Sequence, residues 1–193
     1  IKIHKNDFEL IDDICYEWES RCNMKLGFDY VKEIWQKDVN NYIFVDYDGV
    51  AERKGAYVKE LSSMDNDLPI INKALVDYML KGVSVEQTIN DCDELIQFQK
   101  ICKLTTNFDY VKHGKNIFTN KCYRIFASNN FLDSTVYKAK LTSTGFSLYK
   151  FANTADNAFI ENGDITGASV PQKLNKQWYI NLAKERLEQY GVT

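Results

Sequence analysis

The stretch Asp38–Leu61, DVNNYIFVDYDGVAERKGAYVKEL, decides how the chain is read. Tyr42–Asp46 carries the β-branched and aromatic residues of a strand, and Asp46–Gly49 (DYDG) supplies turn chemistry through Asp48-Gly49. Lys54–Lys59 then reads as the partner strand. Asn40, Asn41, Tyr42, Arg53, Lys54 and Lys59 contribute little to an apolar core, so the hairpin is expected to present donors to something polar or anionic. Such a set suits phosphate oxygens, tracking a nucleic-acid backbone without reading its bases. It would equally serve a solvated edge hairpin whose lysines oppose aggregation.

Working outward, IKIH (1–4) reads as a strand. Asp7 then stands at an N-cap before a helix with Phe8, Ile11, Cys15, Trp18 and Cys22 at helical spacing. That stripe is expected to be a core face, with Glu9, Asp12, Asp13, Glu17 and Glu19 solvated. Residues 25–36 read as extended. Beyond the hairpin, Pro69 sits in the first turn of a helix over about 67–81, apolar on one face until Gly82. Ser84 and Gln87 form a capping box for a second helix over about 85–99, completing a helical hairpin. Short strands and loops follow from Lys100 to about Phe159, including YRIFAS (123–128), TVYKAKL (135–141), GFSLYKFA (145–152) and NAFIE (157–161). The segment 174–191 closes as an amphipathic helix with Trp178, Leu182 and Leu187 inward and Gly191 as its stop. The predicted fold class is α+β: a small antiparallel sheet with a flanking helix, a helical hairpin, a β-rich segment and a C-terminal helix.

The 193 residues, 45% hydrophobic and 13% aromatic, suffice for a real core and argue against disorder. No apolar run approaches membrane-spanning length and no signal peptide is recognisable, so a soluble, cytoplasmic protein without a membrane partner is expected. The first residue is Ile1, which suggests a piece of a longer protein. Cys15, Cys22, Cys92, Cys102 and Cys122 are widely spaced, with no CxxC pair and only His4 and His113 to complete a metal set. They read as reduced thiols packed as small hydrophobes. A hydrolase using Cys122 or His113 is a poor option, because nothing pairs a nucleophile with a base.

Charge is unevenly spread. Residues 1–99 hold 11 Lys/Arg against 20 Asp/Glu, whereas residues 100–150 hold 9 against 2 and interleave them with Phe and Tyr. Lys112, Lys115, Lys121 and Arg124 stand out in that block as candidates for a nucleic-acid surface. A β-rich unit with lysines on its solvated faces would show the same composition. The sequence has no P-loop, dinucleotide fingerprint, GxSxG or HExxH, so no catalytic and no metal-binding residue is assigned.

Taken in order, a strand, an acidic helix, a further strand, NNY (40–42), KGAY (54–57) and a helical hairpin resemble the end of the palm and the thumb of a family B DNA polymerase, particularly the phage and plasmid-borne kind. DLPIINKALVDYMLKGVSVEQTINDCDELIQFQKI (67–101) is similar to the thumb's helical segment and LNKQWYINLAKERL (174–187) to its terminal helix. Residues 110–165 match least. The resemblance implies that Tyr42 takes the place of the KxY tyrosine near the primer-template junction. Asn40 replaces the lysine of that motif, and Lys54 and Gly55 match the lysine-glycine of the partner strand. It further implies residues 1–61 as the last part of a palm and 62–193 as a thumb. The partners would be double-stranded primer-template DNA and the rest of the polymerase, its palm and fingers. The YxDTDS motif of the family, whose carboxylates hold the metal for nucleotidyl transfer, has no counterpart here. Mg²⁺ is therefore expected for the intact replication enzyme and no cofactor for this fragment. The alternative is a stand-alone α+β protein-interaction module with a basic, aromatic surface at 100–150.

Overall fold

The computed structural model describes residues 7–27, 30–62 and 66–192. The strand expected at 1–4 lies outside them. The fold is α+β. Helix α1 (Phe8–Cys22) leads into a three-stranded antiparallel sheet of β1 (Val31–Asp38), β2 (Asn41–Asp46) and β3 (Ala51–Lys54), in the order β1-β2-β3. Helices α2 (Pro69–Lys81) and α3 (Val85–Asn90) follow, then a short 3-10 turn at Leu95–Phe98. Next come β4 (Lys100–Lys103), β5 (Tyr110–His113), β6 (Asn116–Phe118), β7 (Cys122–Ala127), β8 (Val136–Thr142), β9 (Gly145–Lys150) and β10 (Ala158–Ile160). They form a three-stranded sheet β10-β7-β4 and a four-stranded sheet β6-β5-β8-β9, all pairs antiparallel. Helix α4 (Lys176–Glu188) closes the fold.

The main core lies among α2, α3 and α4, where Ile70, Ile71, Leu75, Ile89, Phe98 and Tyr179 are almost completely buried. Ile43 of β2 and Val58, just past β3, join it. A second core holds Cys102, Val111, Tyr123, Ile125, Val136, Phe151 and Ala158 between the two later sheets. Strand β7 serves both, with Tyr123 and Ile125 in the second core and Phe126 in the first, as the two-residue alternation of a strand allows.

Local chemistry accounts for most boundaries. Helix α2 begins at Pro69 and stops at Gly82, whose φ of +67° terminates it in a left-handed cap. Ser84 caps α3, its Oγ accepting from the Gln87 amide at 3.2 Å, and Asn175 caps α4 by accepting from the Trp178 amide at 3.0 Å. Asp67 anchors α2 to β4: its Oδ1 accepts from the Ile101 amide at 2.7 Å and its Oδ2 from Lys100 Nζ at 2.6 Å. Lys176 Nζ donates to the carbonyls of Asn90 and Cys92, both at 2.8 Å, and so holds α4 against the end of α3.

Four expectations are corrected. The partner strand of the opening hairpin is Ala51–Lys54, not Lys54–Lys59. At Gly55 the chain leaves the ladder, and the amides of Val58 and Lys59 fold back on the Gly55 carbonyl at 3.2 and 2.9 Å, turning Val58 into the core. Helix α3 ends at Asn90 rather than 99 because the backbone at Asp93–Leu95 pairs instead with Ala168–Val170. The stripe of α1 is not a core face: Trp18 is 40% exposed and Cys22 is exposed. Its neighbours are loop residues such as Tyr30, whose hydroxyl donates to Asp12 at 2.8 Å. Glu19, expected in solvent, is buried, because Lys25 Nζ and the Leu26 amide both close on its carboxylate at 2.7 Å. On α4, Tyr179, Ile180, Ala183 and Leu187 are buried, while Trp178 and Leu182 are only partly so.

Candidate nucleic-acid interface

Strand register assembles the hairpin site. Tyr42 lies directly opposite Lys54, and Phe44 opposite Glu52, so these four side chains share one face of the sheet. Ile43 and Arg53 form the intervening pair and project from the other face, where Ile43 enters the core. The Tyr42 and Phe44 rings stack at 5.7 Å. Lys54 Nζ stands 5.8 Å from the centre of the Tyr42 ring, and the Tyr42 hydroxyl donates to Glu52 Oε1 at 3.1 Å. Tyr42 is half-buried and Lys54 exposed. This face therefore offers a cation beside an oriented phenol, with Glu52, and Asp46 further along β2, opposing any anion.

The two polar segments at the ends of the hairpin interlock. Gly55 has φ +104°, a conformation side chains strain to adopt, and a Cβ placed on it would stand 2.2 Å from Asn41 Oδ1 and 2.7 Å from the Asn40 carbonyl. Glycine there lets the chain after Lys54 lie directly against Asn40-Asn41. On the far side of the same turn, Asp38 accepts from Asn41 Nδ2 at 2.8 Å and from the Asn40 amide at 2.9 Å. The Asn41 side-chain bond, then the Asn40 amide, holds the Asp38 carboxyl below its ordinary value. Asn40 remains exposed.

The other hairpin candidates stand apart from Tyr42 and Lys54. Arg53 Nη2 pairs with Glu60 Oε1 at 2.5 Å. Lys59 is half-buried beyond the Gly55 turn, its carbonyl accepting from Asn72 Nδ2 at 3.1 Å. Arg53 and Lys59 border a cavity of about 400 Å³ together with Asn72, Asp77 and Lys81, so their surroundings belong to α2 rather than to the hairpin face.

The basic block is divided between two sheets. Lys112 lies on β5 with its Nζ 4.7 Å above the Phe146 ring, and Lys115 is exposed in the turn to β6. Lys121 is exposed just before β7. Arg124, on β7, donates through Nη1 to the Gly163 carbonyl at 2.8 Å, while its amide donates to Asn162 Oδ1 at 2.9 Å. Arg124 borders a cavity of about 450 Å³ lined with Gln99, Asn120 and Asn162. Cys122 and His113 likewise fall in different sheets.

Sequence reading missed Asp38, Glu52, Tyr137 and Lys150 as neighbours of the candidate residues. Alternation along β2 and β3 could have placed Glu52 beside Tyr42, but Tyr137 and Lys150 required the pairing of β5, β8 and β9. Among the described residues no three His, Cys, Asp or Glu side chains come together as a metal-binding set. No catalytic step is assigned to the described residues. No family model, no curated protein and no solved structure matches the chain.

Proposed function

We propose that this chain is the palm-end and thumb portion of a DNA-directed DNA polymerase of family B, of the phage or plasmid type, and that it holds primer-template duplex through backbone contacts. The observation that carries the reading is the meeting of Asn40-Asn41-Tyr42 with Lys54-Gly55. These are the segments on which the resemblance rests, and they are register partners with Gly55 seated against Asn41. Lys54 would act as a mobile point charge on phosphate oxygens, and Tyr42 as a phenol held in place by Glu52 and Phe44. The chemistry of nucleotide addition would belong to carboxylates of the intact enzyme. Such a grip is independent of sequence and sensitive to salt.

Fluorescence anisotropy of a labelled primer-template duplex tests this. Binding is expected at about 20 mM salt and should fall steeply as salt rises. Lys54→Gln should lower the slope of log affinity against log salt by about 0.9, for every duplex sequence alike. No binding at low salt would sink the reading, and loss confined to one sequence would replace it with base readout.

A second reading, an α+β protein-interaction module, draws support from α1, where Leu10, Ile14 and Trp18 are 60, 52 and 40% exposed along one face. A chain that ignores duplex DNA but is retained by another protein through α1 would favour it.

A further inference from the structure

We propose that the outward face of the β6-β5-β8-β9 sheet is a platform for single-stranded nucleic acid. The pairing places Ile117, Lys112, Tyr137 and Lys150 in one row across the four strands. Tyr110, Ala139 and Leu148 form the next row, and Leu141 and Phe146 the one after. The opposite face carries Val111 and Val136 into the second core, so alternation turns these rows away from it. Ile117 is 62% and Phe146 47% exposed. Ala139 is fully buried yet belongs to neither core, flanked in register by Tyr110 and Leu148.

The face is aromatic and cationic together. Lys112 Nζ lies 4.7 Å from the Phe146 ring centre, and the Tyr110 and Phe146 rings are 6.4 Å apart. On this face the four strands place Lys112 and Lys150 and no carboxylate, while Lys138, Lys140 and His113 stand on the opposite face. Two acids approach from loops: Asp109 Oδ2 accepts from the Leu141 amide at 2.7 Å, and Asp156 Oδ1 forms an ion pair with Lys150 Nζ at 2.7 Å. Lys150 therefore reaches a polyanion only in competition with Asp156, while Lys112 is the cation beside the rings. A polyanion is the complementary partner. The rings decide which kind, because a duplex keeps its base faces stacked inside while a single strand offers them to Tyr and Phe. This platform is separate from the hairpin and does not rest on the hairpin's reading.

The test is anisotropy titration of the 193-residue chain against labelled oligo-dT of about 12 nucleotides, within the range one binding fold covers. A duplex of equal length and a poly-glutamate competitor provide the comparisons. Oligo-dT should bind at low salt, with poly-glutamate competing poorly, and duplex binding should not depend on Phe146. Phe146→Leu keeps an apolar side chain but removes the ring, and should weaken oligo-dT binding about tenfold. Lys112→Gln should lower the salt slope by about 0.7. Phe131→Ala, at a residue 85% exposed on a loop, should leave it unchanged. The proposal falls if oligo-dT does not bind, if F146L binds it as wild type does, if F146L weakens duplex binding as much as oligo-dT binding, or if poly-glutamate competes equally. The hairpin reading stands or falls separately, on duplex binding by the Lys54 variant.

Discussion

Gly55 and Asn41 are so close that a single methyl group on Gly55 would overlap the Asn41 side-chain oxygen. The approach brings the end of β3 onto the start of β2 and so fixes where Lys54 stands relative to Tyr42.

Gly55→Ala should therefore destabilise the chain by about 1–3 kcal/mol, from a strained backbone and the steric clash together. Thermal unfolding would register about 2–4 °C per kcal/mol at this chain length. Asn41→Ala in the same chain clears the Oδ1 contact but leaves the Asn40 carbonyl at 2.7 Å and Asn41 Cα at 2.8 Å, so the double variant should regain only part of the loss. Full recovery would place the conflict in the side chain alone.

Tyr179 gives a second prediction. Its buried hydroxyl donates to the Phe98 carbonyl at 2.8 Å and accepts from the Ala127 amide at 3.1 Å. Burial pushes its ionisation well above the ordinary tyrosine value. Tyr179→Phe keeps the ring and strands both backbone groups, which should cost about 1–3 kcal/mol by denaturant unfolding. An unchanged midpoint would mean that neither bond contributes.

Asp77 makes stability fall in acid. Burial opposes its charge, but hydrogen bonds from Lys73 and Lys81 outweigh that, leaving its pKa below the ordinary carboxylate value. A folded pKa below the unfolded one gives stability that is complete above the unfolded value, near 3.9, and is lost as pH falls through the folded one. The lysines are 58 and 65% exposed, so screening limits the contribution at pH 7 to about 0.5–1 kcal/mol. Asp77→Asn should show that deficit at pH 7 and converge with wild type near pH 2; a constant gap would refute the ionic origin.

The thiols should separate by burial. Cys22 and Cys122 are exposed, whereas Cys102 is buried and its pKa is pushed up to about 12 by desolvation. Maleimide labelling followed by peptide mass mapping should find Cys22 and Cys122 modified early and Cys102 only on unfolding. Rapid modification of Cys102 in the folded chain would contradict the second core.

Much of the secondary structure was legible because it is written in local chemistry: Pro69 and Gly82 bracket α2, Ser84 caps α3, and period-two runs mark β7 to β9. Long-range pairing set what was not legible. Nothing near Asn90 ends α3; the partner that ends it is the backbone at Ala168–Val170. The stripe of α1 predicted the helix correctly but not its surroundings, since periodicity tells which side of a helix is apolar and not what lies beside it. At the hairpin, Asn40-Asn41-Tyr42 and Lys54-Gly55 were legible as segments, whereas the turn at Gly55 that removes Lys59 from their company depends on Val58 finding a core. Lys112, Lys115, Lys121 and Arg124 read as one basic block because they are neighbours in sequence; strand order places them in two sheets.

The bond from Tyr179 to Phe98 spans 81 residues, and that from Lys176 to Asn90 spans 86. During synthesis, α2 and α3 therefore leave the ribosome long before the helix that completes their shared core. The side of this core that α4 closes stays open while both later sheets are translated, at about 5–20 residues per second. For several seconds the nascent chain would expose the apolar side that α4 later covers, and in that interval a chaperone has something to protect.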